Sequence, residues 1–194
     1  MKKFMESSLY ILPAAGVVVA IYMATNWSAM PVLQRMAGLM FILLDLHAME
    51  EYRFPGGFIQ MEERSFNVSF PRPEVNEFVL VMIIFYTALV PFFFSHVAWL
   101  VMAPMVCSII QLPSHLGAAR KMKRFYSPGL VTAILMVPIW LYTIIYIVQN
   151  NLMRPVELIF SILYFFIPFG LSSVVIIKMN GLKVSDFKKK GARA

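Results

Sequence analysis

Most of the chain's capacity for chemistry sits in one short run, Asp45-Leu46-His47-Ala48-Met49-Glu50-Glu51. An imidazole and two carboxylates this close together can hold a divalent metal, exchange protons with a substrate, or relay protons. On a helix each residue turns by about 100°, so His47, Glu50 and Glu51 share roughly 100° of arc and form one stripe. Asp45 points almost oppositely and is expected outside it. A second histidine, His115, follows much later, with Gln111 one turn before it, Ser114 beside it and Arg120 beyond. Two imidazoles with one or two carboxylates make the ligand set of zinc and of non-haem iron. The expected metal ligands are therefore His47, Glu50, Glu51 and His115, around one divalent ion, zinc or iron. Glu51 is also the candidate general base for a metal-bound water. Arg120 is the candidate catalytic cation for an anionic substrate head.

Plainer roles are open to the same residues. His47 and Glu51 could be a hydrogen-bonded pair at a helix end, with Glu50 in water, or part of a proton path. Spacing of the H-x-x-E type arises often by chance. Arg120 stands beside Lys121, Lys123 and Arg124, a cluster that could simply fix membrane orientation. Asn76 and Glu77 could join the site, but capping a helix is the simpler account. Ser127-Pro128 reads as a helix start with Ser127 as its cap.

Whether the two histidines can meet depends on the elements that carry them. Of 194 residues, 60% are hydrophobic and 14% charged. A soluble domain of this size could not bury so much apolar surface, which points to hydrocarbon as the solvent. The net charge of +7 lies in short segments between apolar runs, a topogenic pattern that argues against a nucleic-acid partner. Cys107 stands alone, so neither a disulfide nor a cysteine-ligated zinc is available within the chain. Lys2-Lys3 before an apolar run from Leu9 resembles a signal peptide. Ala20 to Ala29 offers no clean cleavage site, however, and the run is expected to stay as a first helix.

A span needs roughly 17–25 mostly apolar residues. The runs predict six, at about 8–25, 31–49, 76–93, 95–117, 128–149 and 155–178, within one membrane domain covering 1–194. Phe78 to Leu112 is a continuous apolar stretch of 35 residues. As one helix it would be about 52 Å long, too long for a bilayer, so a break is expected near Pro91 to His96. Six spans put both termini on one side. With the N-terminus inside, Lys2, Lys3, Arg53, Arg64, Arg72, Arg120, Lys121, Lys123, Arg124, Lys178, Lys183, Lys188, Lys189, Lys190 and Arg193 face the cytoplasm, and only Arg35 and Arg154 face out. That bias predicts cytoplasmic termini and a multi-pass protein of the cell membrane. It also places the ends of the second and fourth spans, and so His47 and His115, at the cytoplasmic boundary, with His96 at the opposite face. The connection over about 50–75 mixes aromatics with charges. It is expected to lie at the interface, as a lid or as a surface linker.

His47-Ala48-Met49-Glu50-Glu51, followed by Pro55 and Gly56, resembles the bacterial membrane family named for its H-x-x-E-E motif. His115 and Tyr126-Ser127-Pro128-Gly129-Leu130-Val131-Thr132 look like that family's second histidine block and the Pro-Gly opening of its next span. The resemblance runs from about Leu33 to about Pro168. The family's N-x-x-x-E motif has no counterpart here, since Asn76 is followed four residues later by Leu80. Its H-x-x-x-R motif is matched loosely, because Arg120 is five residues after His115. The resemblance implies a shared site at His47, Glu50, Glu51 and His115 but no particular reaction. The reading that follows is a metal-dependent membrane enzyme that hydrolyses or isomerises a lipid or other apolar small molecule at the cytoplasmic side. A small proton-coupled transporter and a non-catalytic accessory protein are the alternatives.

Overall fold

The long apolar stretch breaks where two helices meet at Phe94–Val97, and every other run becomes a helix too. The computed structural model describes residues 2–185; Lys188, Lys189, Lys190 and Arg193 lie outside them. Among the described residues there are six long apolar helices and no strand: α1 (Lys3–Asn26), α2 (Val32–Tyr52), α4 (Pro73–Phe93), α5 (Ala98–Lys121), α6 (Leu130–Gln149) and α7 (Glu157–Met179). A short helix, α3 (Phe58–Phe66), interrupts the connection from α2 to α4. Each long helix is long and apolar enough to cross a membrane. Helices suit that solvent because they satisfy their own backbone groups.

Two helix starts differ from expectation. Pro73 begins α4, so Asn76 and Glu77 lie inside the helix rather than at its cap. Proline fits there because the first-turn N–H has no intrahelical partner. Gly129 in left-handed conformation precedes α6, so Ser127 is not its cap. The Ser127 hydroxyl instead donates to the His115 carbonyl at 2.8 Å.

Helices α2 and α5 form the centre. α5 packs on α6, α7 and α2, and α2 also packs on α1 and α6. Their shared core holds Ala37, Met40, Phe41, Val101, Met105 and Met136, all fully buried. Small residues let α1 approach α2 closely, as is usual between membrane helices. A Cβ on Gly38 would run into Met23 Sδ, and one on Gly16 would meet Asp45 Oδ2 at 2.6 Å. The outward faces of α6 and α7 stay apolar, with Ile134, Leu141, Val148, Ile159, Phe166 and Leu171 exposed. Such faces belong in lipid.

At the end of the bundle that carries most of the basic residues, side chains tie the helix ends together. Arg53, just past α2, donates two bonds to Glu77 of α4 (2.8 and 2.6 Å) and lies over the Tyr10 ring of α1. Those bonds to Glu77 push the Arg53 pKa still higher than usual. The Arg72 N–H donates to Asn180 Oδ1, and Asn180 in turn donates to Asn76 Oδ1. Asn76 and Glu77 therefore brace the fold. This lashed end is also where α2 and α5 present their histidines.

Candidate metal site

The last two turns of α2 and the second half of α5 bring three donor atoms to one point. His47 Nε2 and His115 Nε2 are 3.3 Å apart. Glu51 Oε1 lies 3.5 Å from the first and 3.4 Å from the second. All three side chains are buried. His47 and Glu51 reach one another because they are one helical turn apart. His115 comes from 68 residues along the chain by the packing of α5 against α2.

The protons define what this triangle can hold. The Thr132 hydroxyl donates to Glu50 Oε2 at 2.5 Å, and its oxygen faces His47 Nδ1 at 2.8 Å. With its own proton directed to the carboxylate, Thr132 accepts one from His47 Nδ1. This network places a proton on Nδ1, and in the neutral ring that leaves His47 Nε2 as a bare lone pair. With the His115 proton on Nε2, that ring donates to His47 Nε2; with it on Nδ1, three acceptors, two nitrogens and a carboxylate oxygen, converge in a dry site. In the second case a cation makes the arrangement favourable.

The spacing fits a metal. A tetrahedron with edges of 3.3–3.5 Å has its centre roughly 2.1 Å from each vertex, within the range of zinc bonds to histidine and carboxylate. A backbone cradle supports the same reading. Gly129, at φ +91°, closes over both rings, and a Cβ there would stand 2.5 Å from His115 Cε1 and 2.8 Å from His47 Cε1. Only glycine lets the chain pass so close in this conformation. His115 Nδ1, on the ring's other side, has no hydrogen-bond partner among the described residues, and the Pro128 carbonyl lies beside the ring. A metal would leave that nitrogen protonated and ready to use this carbonyl.

Two expected site residues are placed elsewhere. The Glu50 carboxylate does not join the triangle. Its Oε1 accepts from the Val131 N–H (3.1 Å) and the Tyr126 hydroxyl (2.9 Å), and its Oε2 from the Thr132 N–H (2.8 Å) and hydroxyl. The physical reason is the start of α6, whose first N–H groups have no intrahelical acceptor and favour an anion. Glu50 is that anion, and it orients His47 through Thr132 rather than by ligation. Burial, together with the bond to Glu50, pushes the Tyr126 hydroxyl up to about 12. Arg120 is exposed in the last turn of α5, about 140° around the helix from His115. It does not reach the triangle. Gln111 donates weakly to Cys107 Sγ at 3.8 Å, and Ser114 is exposed.

Sequence reasoning passed over two participants and a buried acid on the opposite face of α2. Thr132 and Gly129 carry little signal beyond the Pro-Gly helix opening. Asp45, set aside as facing away, is 2% exposed, and neither carboxylate oxygen has a hydrogen-bond partner. It faces the notch that Gly16 leaves in α1.

Residues 38–143, more than half of the chain, match the family described as "Protein of unknown function with HXXEE motif". The chain belongs to this family. No curated protein and no solved structure matches it. The matched region spans α2 from Gly38 through Thr143 of α6 and so contains every residue of the triangle and its supports. In this HXXEE protein the naming motif divides its labour: His47 and Glu51 face the third donor, His115, while Glu50 pins the start of α6.

Proposed function

We propose that this HXXEE protein is a metal-dependent integral membrane enzyme, with its site at the cytoplasmic side of the cell membrane and a lipid or other apolar small molecule as substrate. The observation that carries the reading is the buried near-equilateral triangle of His47 Nε2, His115 Nε2 and Glu51 Oε1. His47, His115 and Glu51 would hold one divalent ion, zinc or iron, leaving a fourth position for water or substrate. Such an ion polarises a carbonyl or phosphoryl oxygen and acidifies bound water. Around it, Glu50 and Thr132 hold His47 in its ligating tautomer, Gly129 shuts one side of the site, and Glu51 Oε2 is free to accept a proton. That set serves hydrolysis or isomerisation. The outward apolar helix faces would bring lipid, and with it an apolar substrate, up to the bundle.

Metal content of detergent-purified protein tests the reading. About one zinc, iron or manganese per chain is expected in wild type, lost in His47→Ala and His115→Ala. A wild-type protein without stoichiometric metal ends it. Untargeted lipid analysis of a deletion strain, complemented with wild type or His47→Ala, would then reveal the substrate as the lipid that accumulates in both the deletion and the variant.

One observation favours a second reading, a proton-coupled carrier: the unpartnered carboxyl of Asp45 at membrane depth, where ionisable groups commonly mark ion paths. Reconstitution with a pH-sensitive dye separates the two, since an enzyme leaves the gradient intact.

A further inference from the structure

Beside the triangle stands a carboxylate with no role in it. Phe58 and Glu62 lie one turn apart on α3 and so share a face. The Phe58 ring packs 5.6 Å from that of Tyr52, the residue after Glu51. This face of α3 therefore looks onto the end of α2, and Glu62, on the same face, is partly buried. The turn into α3 passes Gly56 and Gly57, at φ +74° and +99°. A Cβ on Gly57 would touch Pro128 at 3.8 Å, and Pro128 adjoins the glycine that covers both imidazoles. The root of α3 is thus in contact with the wall of the site.

Glu62 has no cationic partner among the described residues. Its neighbour Glu63 is committed, accepting from the Phe70 N–H at 2.7 Å. Burial, and then the negative charge of Glu51, push the Glu62 carboxyl up to about 7. Two carboxylates near enough to feel each other's charge, with no cation between them, are mutually unfavourable, and a divalent ion reverses the sign.

Resting on the metal reading above, we propose that α3 is a lid whose Glu62 is the displaceable fourth ligand of the metal held by His47, Glu51 and His115. The triangle leaves one tetrahedral vertex unfilled. Glu62 lies outside the group of donors within 4.8 Å of one another, so it closes onto the metal by a movement about the Gly56-Gly57 turn, where glycine tolerates the backbone change. Water or substrate takes its place when the lid lifts. The lid thereby keeps the site shut until an apolar substrate, arriving from the bilayer, lifts α3 away.

Zinc titration with chelator competition tests this in detergent-purified full-length protein: wild type, Glu62→Gln, and Gln60→Ala on the exposed side of α3. Glu62→Gln is expected to weaken zinc binding at least about tenfold, while Gln60→Ala leaves it unchanged. Hydrogen exchange adds a second readout. Zinc should slow exchange across α3 in wild type and not in Glu62→Gln. Equal melting temperatures of the metal-free proteins at pH 5 serve as the folding control. Unchanged affinity and unchanged zinc-dependent protection in Glu62→Gln overturn the proposal, as does an equal loss in Gln60→Ala. Wild type that binds no zinc at all overturns the metal reading itself, which is a different result.

Discussion

Glu50→Gln distinguishes the two roles that this residue's position permits. Its carboxylate takes four hydrogen bonds at the start of α6. A carboxamide keeps the shape but turns one oxygen into a donor, which must then face a backbone N–H of Val131 or Thr132. One buried N–H left unsatisfied costs about 1–3 kcal/mol, and the remaining bonds lose their charge assistance. About 3 kcal/mol is the expected total. For a chain of this length that lowers the melting temperature by roughly 6–12 °C, measured in detergent on the metal-free protein. Metal stoichiometry at saturating zinc should stay near one, with affinity reduced at most about 100-fold because His47 is less firmly oriented. Glu51→Gln should do the reverse, abolishing stoichiometric binding with a small effect on melting. A Glu50→Gln protein that melts like wild type yet holds no metal would refute the reasoning and restore Glu50 as a ligand.

Four further outcomes follow from the same geometry. Gly129→Ala puts a Cβ into both imidazoles at a backbone angle that L residues avoid; metal titration and thermal melting should show lost binding and about 2–5 kcal/mol of destabilisation. Thr132→Val removes the hydroxyl between His47 and Glu50 and should weaken metal binding about 10–100-fold, with Thr132→Ser close to wild type. Glu62 is raised from 4.5 to about 7, so the folded state holds its proton more tightly than the unfolded one. Its contribution to stability is fully present below 4.5 and is lost as pH rises through 7; melting of metal-free Glu62→Gln against wild type at pH 5 and pH 8 should show the variant relatively more stable at the higher pH. Asp45→Val replaces an unpartnered buried carboxyl with a side chain of similar size and should raise thermal stability by about 1–3 kcal/mol, whereas a loss of stability would mean that the carboxyl has a partner in the membrane.

The spans were legible because hydrocarbon imposes one length on every crossing, so the 35-residue run from Phe78 had to break. Helix starts were less so: Pro73 and Gly129 each shift a boundary by a few residues, through local backbone geometry that hydropathy does not encode. Periodicity put His47, Glu50 and Glu51 on one stripe, and topology brought His115 to the same depth. The stripe could not tell which of two adjacent carboxylates would meet His115 and which the amides of α6, since that depends on how α5 and α6 flank α2. Asp45 was correctly placed on the other face of α2. That this face would be buried against Gly16, rather than turned to water or a partner charge, depends on helix–helix packing. Thr132 was invisible as a support because a hydroxyl between two polar groups leaves no spacing pattern in sequence.

Anomalous diffraction from crystals grown with zinc, collected across the metal's absorption edge, would locate the ion itself. The account requires a single strong peak about 2 Å from His47 Nε2, His115 Nε2 and Glu51 Oε1, with Glu50 still bonded to the start of α6. No peak there, or a peak ligated by Glu50 in place of Glu51, would contradict it.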